Sequence, residues 1–344
     1  MKTFEFDYNL PRGFIAQYPA EPRDSSKLMI FDTKKNSVSH VVFRDLADIL
    51  GSDDVLVVNR SKVIPARILF DADVDAGVKK CEVFILKNLG GYRYKAMVKP
   101  GKFFTTGRRF RVNDELFGMV EEIFDDGTRN ISFNRSPEKF GKTPLPPYIK
   151  NTDVKSSSYQ TVYAKEKGSV AAPTAGLHFT PGLIGELKNK GVKFEEVILH
   201  VGRGTFLPVK SEDISDHVMH EECYEIPERT AFDLNEAIKN GKRITAVGTT
   251  SVRVLESSFD SRKGFVPKTG ETDIFIYPGG HDWKCVDALI TNFHLPKSTL
   301  IMLVASFLEH KGVKGPVKKI LELYELAKEN NYRFYSFGDA MFIF

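Results

Sequence analysis

His178, His200, His217, His220 and His294 are the side chains of this sequence best suited to move a proton near neutral pH, and each sits in a short polar segment. The first segment runs from Ala171 to Thr180 (AAPTAGLHFT) and contains Thr174 and His178. Its small residues let backbone amides approach a ligand just ahead of a helix start, where the dipole favours an anionic group. A capped loop with His178 packed inside it is the plainer reading. The second segment begins at His200, passes Gly202 and Gly204, and continues at His217, His220, Glu222 and Cys223. Histidines three apart share a face if that stretch is helical, which suits acid–base or substrate-binding work. Zinc ligation and surface histidines without a role stay open, although the spacing fits no closed structural zinc site.

The third segment is Gly248-Thr249-Thr250-Ser251-Val252-Arg253, a strand end running into a helix. Its hydroxyls and amides can cradle a carboxylate or a ribose, and Arg253 can fork onto a carboxylate. The alternative is a Thr250 helix cap with a solvated Arg253. The fourth runs from Asp287 to Thr299, with Asn292 and His294 at the end of a buried-type strand, where α/β proteins tend to bind ligands. Asp273 contributes a carboxylate to the same rim if it opens a strand to Tyr277. A strand-to-helix turn capped by Ser298 or Thr299 is expected in either case.

The elements that must position these groups come in two styles. From Ile64 to Asn134 six short strands are expected at roughly ten-residue spacing: 64–70, 80–88, 92–98, 108–112, 116–124 and 129–133. No helical period separates them, which suggests a small barrel or sandwich. After Thr161, strand and helix alternate. Thr180-Pro181 opens a helix closed by Gly191, strand 194–201 follows, then helix 231–239, strand 244–248 and helix 251–259. Strands 273–277 and 288–292 precede helices 299–310 and 317–330. The apolar run Val55–Val58 reads as a strand of the same sheet. The expected fold class is therefore α/β: a larger, discontinuous domain of residues 1–60 and 150–344, with a small all-β barrel-like domain, 61–149, inserted. Three prolines between Lys142 and Tyr148 mark the return linker.

Within the inserted part, Tyr92–Arg111 carries seven basic residues and no acidic one, interleaved with Tyr92, Tyr94, Phe103, Phe104 and Phe110. Phosphate contacts plus stacking faces are what recognition of a splayed RNA loop requires. Ordinary strand alternation would instead place the aromatics inside and the charges in solvent.

Composition narrows the classes. The chain has 344 residues, 49 basic and 45 acidic, for a net charge of only +4, so any nucleic-acid contact must be local. Three scattered cysteines with no CxxC pair argue against a disulfide framework and fit a reducing cytoplasm. The N-terminus has no signal-peptide run, and the apolar stretch Leu300–Leu308 is about half of the ~20 residues a membrane span needs. No GxGxxG follows a strand and no Walker A motif appears, so the usual dinucleotide, methyltransferase and P-loop sites are not visible.

Taken together and in order, Leu10–Pro19, Arg23, Val57–Asn59 with Val63–Arg67, Leu145–Ile149, Tyr159–Tyr163, Ala171–Thr180, Leu199–Gly202 with Gly204–Phe206, His217 and Met219-His220 with Glu222, Ala246–Arg253, Asp273–Gly279, Val286–Pro296, and Tyr332–Phe334 with Gly338–Met341 resemble one family. It is the S-adenosylmethionine:tRNA ribosyltransferase-isomerases of queuosine synthesis. The matches thin between Asp71 and Lys142, and two positions depart from the family pattern: Arg203 replaces a small residue, and Ser156-Ser157-Ser158 stands where charged residues are usual.

The resemblance implies transfer of the ribosyl carbons of S-adenosylmethionine to 7-aminomethyl-7-deazaguanine at the tRNA wobble position. Epoxyqueuosine forms, and adenine and methionine leave. S-adenosylmethionine would be a co-substrate, with no resident cofactor or metal, no membrane, and a cytoplasmic monomer acting on tRNA. Carried onto this sequence, His178 and His220 are expected as the acid–base pair, with His217 and Asp273 catalytic. Thr174, His200, Thr249, Thr250, Arg253, Asn292 and His294 are expected to bind substrate, Arg253 through the methionine carboxylate and His294, with Asp273, through ribose. Lys102, Arg108 and Arg109 are expected on tRNA phosphates. The rival readings are a non-catalytic RNA-binding module and a histidine-based metal hydrolase.

Overall fold

Asp54–Asn59 is buried at every position and lies fourth in a nine-stranded sheet, beside its central strand, as the apolar run Val55–Val58 requires of a strand covered on both faces. The computed structural model describes residues 1–74, 77–151, 153–202 and 208–344, so the expectations placed on Arg203, Gly204 and Thr205 lie outside the described residues. The chain divides into two compact units: Met1–Ser61, Pro147–Glu166 and Ala172–Phe344 form one, and Lys62–Pro146 with Lys167–Ala171 the other.

The larger unit carries the mixed sheet. Its central strands Lys193–Leu199, Asp54–Asn59, Arg243–Val247 and Ala288–Asn292 are parallel neighbours in that spatial order. Lys193–Leu199 is bordered by antiparallel Glu222–Ile226 and then Lys268–Thr272. Ala288–Asn292 is bordered by antiparallel Ala340–Ile343, which pairs parallel to Lys27–Asp32, itself antiparallel to Ser37–Val42. The chain visits the four parallel strands in the spatial order second, first, third, fourth. Strand order therefore reverses beside Asp54–Asn59, and a crevice opens at the carboxyl ends there.

The helices start where local chemistry dictates. Thr180 Oγ1 accepts the Leu183 amide at 3.2 Å ahead of Pro181–Asn189, and Ser298 Oγ accepts that of Ile301 at 3.4 Å ahead of Thr299–His310. Helix Thr299–His310 is apolar almost all round and buried over its first ten residues. Glu228–Lys239 and Thr249–Ser258 each begin two or three residues before the sequence suggests. Among the described residues no helix is long and apolar enough to cross a membrane.

Two expected elements differ. Asp273–Tyr277 is not a strand: pairing with Glu222–Ile226 ends at Thr272, whose Oγ1 accepts the Ile274 amide at 3.2 Å and turns the chain away. The His217–His220 stretch is not helical either. A single 3₁₀ turn, Ile214–Asp216, ends there and the chain continues extended from His217.

The smaller unit is one antiparallel sheet ordered Arg67–Val74, Gly77–Gly90, Arg93–Lys99, Arg129–Phe133, Phe117–Ile123 and Arg109–Arg111. Cys81, Val83 and Ile85 alternate inward along the 14-residue strand, and register shifts near Lys87 and Gly90 mark where it bends. Phe70 and Phe110, on the two edge strands, stack with ring centres 5.5 Å apart, so the sheet curls until its edges face each other across a phenylalanine core. That is the barrel-like form expected.

Candidate active site

At the carboxyl ends of the parallel strands is a narrow cleft. The loop Ala172–Ala175 forms one wall, Val201 and Gly248–Thr250 another, and Thr291, Asn292, His294 and Leu300 the floor and far side. None of the described residues lining it is an acid, a lysine or an arginine. Glycines bring the backbones together: Gly248 has φ +86°, and a Cβ on Gly176 would clash with the Tyr163 hydroxyl.

A continuous hydrogen-bonded line leads into this cleft. Ser26 Oγ is 2.8 Å from His178 Nδ1, and His178 Nε2 is 3.2 Å from Asn292 Nδ2. Asn292 Nδ2 also donates to the Tyr335 carbonyl at 3.3 Å, while its Oδ1 accepts the Thr174 hydroxyl at 2.9 Å. An amide oriented this way makes His178 Nε2 an acceptor, so the ring proton sits on Nδ1 and points to Ser26. The His178 ring stacks on Phe43 at 4.9 Å. Burial drives its pKa down to about 4, outweighing the Asp339 carboxylate, and the Arg333 and Arg23 cations push the same way as burial.

His294 lines the cleft directly. Its Nε2 is 2.7 Å from Thr291 Oγ1, its amide donates to the Tyr324 hydroxyl oxygen at 2.9 Å, and its carbonyl accepts the Tyr8 hydroxyl. Nδ1 has no partner among the described residues, and burial lowers the ring's pKa to about 3. Thr249 and Thr250 open helix Thr249–Ser258, and Thr250 Oγ1 is buried with no partner among the described residues.

Arg253, one turn further along that helix, is not free for a ligand carboxylate. It is buried, ion-paired through Nη1 with Glu222, and donates from Nη2 to the Thr272 carbonyl at 3.3 Å. Glu222 in turn accepts the Gly202 amide at 2.6 Å. The protein thus supplies a carboxylate of its own to Arg253, which is buried and not solvated.

The structure therefore gathers Thr174, Thr249, Thr250, Asn292 and His294 around one cleft and attaches His178 to it through Asn292. It does not bring His217, His220 or Asp273 into the lining. His217 packs on Phe275 at 5.3 Å, His220 is exposed, and Asp273 is exposed past the end of its strand. His200 is half-buried, and its Nδ1 has no partner among the described residues. Among the described residues no group of three or more His, Cys, Asp or Glu side chains could hold a metal ion. Ser26, Phe43 and Tyr335 were not foreseen. They lie far along the chain from the segments they support, and nothing in their local sequence marks them.

In the smaller unit Lys102, Arg108 and Arg109 are exposed, and Arg108 lies over the Phe103 ring at 4.1 Å. Arg93, Lys95 and Arg111 pair with Glu121, Asp126 and Asp114. Among the described residues Lys99, Lys102, Arg108 and Arg109 have no such partner. The aromatics are not stacking faces: Tyr94, Phe103, Phe104 and Phe110 are core, and only Tyr92 of that set is exposed.

Comparison with known proteins returns one consistent result. A family model described as queuosine biosynthesis protein matches residues 3–343. A Thermotoga maritima protein named S-adenosylmethionine:tRNA ribosyltransferase-isomerase is 48% identical over all of both chains. A relative of the same name from Acetivibrio thermocellus is 47% identical, again over all of both. The crystal structure of S-adenosylmethionine tRNA ribosyltransferase from Thermotoga maritima superposes with a TM-score of 0.57 at 38% identity, covering 99% of this chain and 100% of that one.

Proposed function

The chain belongs to the queuosine biosynthesis family, and on that premise we propose that it transfers and isomerises the ribosyl moiety of S-adenosylmethionine onto 7-aminomethyl-7-deazaguanine at the tRNA wobble position. The product is epoxyqueuosine-tRNA, with release of adenine and methionine.

The observation that carries this reading is a cleft of hydroxyl, amide and neutral imidazole groups at the carboxyl ends of the parallel strands. S-adenosylmethionine is a cation at sulfur. With His178 and His294 held neutral down to about pH 4 and about pH 3, the sulfonium meets no fixed positive charge there. Thr250 Oγ1 and the amides at the start of its helix suit the ligand carboxylate. Asn292 and Thr174 suit ribose hydroxyls, and His294 Nδ1 offers a further polar contact.

The sulfonium acidifies the C5′ proton, so a positioned base can remove it, and adenine needs an acid to leave well. His178 acts through Asn292, with both ring nitrogens already engaged. It is a positioning residue in this scheme rather than half of an acid–base pair. His220, with His217 beside it, is left for the proton transfer; it lies outside the cleft lining, so the role requires it to reach the bound substrate, and Asp273 lies on an exposed stretch past the strand Lys268–Thr272. Lys102, Arg108 and Arg109 hold phosphates of the anticodon arm.

Incubation with S-adenosylmethionine and tRNA carrying the aminomethyl base, followed by nucleoside mass analysis and assay of free adenine, tests the proposal. Unmodified nucleoside with no adenine released would refute it.

A further inference from the structure

The opposite end of the same parallel strands carries a second cleft that this chemistry does not use. Arg243 opens one of those strands and Asp287 immediately precedes another, and both line it. A five-residue strand rises ~17 Å, which separates this cleft from the first. Its floor is apolar: Ile238, Phe259 and the ring of Phe344, over which the Arg243 guanidinium lies at 5.2 Å.

The rim is cationic. Lys34, Lys35, Lys242, Arg243, Lys284 and Lys311 share the lining with Asp32 and Asp287, its only acidic side chains among the described residues. Both carboxylates are engaged, Asp32 by the Lys35 side chain at 3.4 Å and its amide at 3.0 Å, and Asp287 by the Ile244 amide at 2.8 Å. Arg243 pairs with Asp54, and Lys242 donates to the Ser52 carbonyl. Lys34 and Lys284 are exposed and have no ion pair among the described residues. Lys311 is half-buried against the Asp287 carbonyl at 2.9 Å; burial above all disfavours its charge, the Asp287 carboxylate opposes that, and Lys34 and Arg243 add to it. Crowded like charges around an apolar floor cost free energy that a bound anion offsets.

We propose that this cleft is a second binding site, taking a nucleotide unit with its base on Phe259 and Ile238 and its phosphate on Lys34, Lys284 and Lys311. An RNA strand and a free nucleotide share that chemistry. The two clefts have no lining residue in common, so neither assignment depends on the other.

The test compares the intact protein with a Lys34→Glu/Lys284→Glu variant, and with Lys34→Gln/Lys284→Gln should the reversal fail to fold. Binding of uridine monophosphate is measured by calorimetry, and affinity for unmodified tRNA by anisotropy across a salt series. S-adenosylmethionine binding serves as the fold control and should be unchanged in both variants. If RNA is the occupant, the charge-reversed protein binds tRNA more weakly. Its log–log salt slope then becomes shallower by roughly 0.7–0.9 for each phosphate the cleft no longer neutralises. If free nucleotide is the occupant, uridine monophosphate binding disappears while tRNA affinity holds. Unchanged binding of both probes overturns the site.

Discussion

The side-chain amide of Asn292 stands 3.2 Å from Nε2 of His178 and 3.3 Å from the Tyr335 carbonyl, which can only accept and so fixes which way round the amide faces the cleft. With its nitrogen turned to His178 and the Tyr335 carbonyl, its oxygen is left to receive Thr174. A buried imidazole and a backbone carbonyl thus hold the amide together, and the amide presents its oxygen to the cleft wall.

His178→Ala removes one of the two acceptors that hold the amide, leaving the Tyr335 carbonyl alone to orient it beside a void. We expect KM for S-adenosylmethionine to rise by roughly ten- to a hundredfold, from about 1–3 kcal/mol of lost orientation. His178→Gln, which can present an oxygen near the Nε2 position, should recover most of it. The pH profile of kcat should keep its limbs in both variants; a vanished limb would make His178 a proton-transfer group instead.

His220→Ala should behave in the opposite way. Substrate binding holds, the single-turnover rate falls by about 10²–10⁴, the usual span for a lost general acid or base, and one limb of the pH profile goes with it. A near-normal single-turnover rate would remove His220 from the chemistry.

Acid stability follows from the buried rings. His178 titrates at about 4 and His294 at about 3 in the folded protein, against 6.5 for an ordinary histidine. Above pH 6.5 neither folded nor unfolded chain holds these protons and the rings cost nothing. Below it the unfolded chain takes up protons that the folded rings refuse, so stability falls as pH drops from 6.5 towards about 4 and about 3. Each ring contributes up to about 1.4 kcal/mol per pH unit in that window. Urea midpoints at pH 7 and pH 5 for the parent and for His294→Asn measure this, and an equally steep loss in the variant would contradict it.

Glu222 and Arg253 are both about 5% exposed, so neither tolerates losing the other. Glu222→Gln is expected to destabilise by about 3–5 kcal/mol, and Glu222→Leu combined with Arg253→Met by much less, because only the single change leaves a buried charge uncompensated. Denaturant unfolding of the three proteins checks the ordering. Equal losses would mean the pair is not a closed unit.

On the smaller unit, reversing Lys102, Arg108 and Arg109 to Glu should raise KM for tRNA and flatten its salt dependence by roughly 0.7–0.9 per phosphate released, with S-adenosylmethionine binding intact. An unchanged slope would move the RNA surface elsewhere.

The order of elements was legible in the sequence because local rules act on neighbours. Thr180-Pro181 and Ser298-Thr299 cap helices wherever the chain goes, and Ala288–Asn292 is apolar enough to be a strand in any context. Six strands in the smaller unit announced themselves by period and turn residues. The motif strings likewise named the family before any geometry was known. Residue types also pointed to Thr174, Thr249, Thr250, Asn292 and His294, since hydroxyls, amides and imidazoles at strand ends are where α/β sheets bind ligands.

What each of those groups can do was a tertiary matter. His178 and His220 are the same side chain in sequence; one is sealed between Ser26, Phe43 and Asn292, and the other stands in solvent. Arg253 looked available until Glu222, 31 residues away, closed on it. Burial and long-range partners set charge state and availability. Both are properties of contacts between distant segments, which neither period nor spacing along the chain encodes.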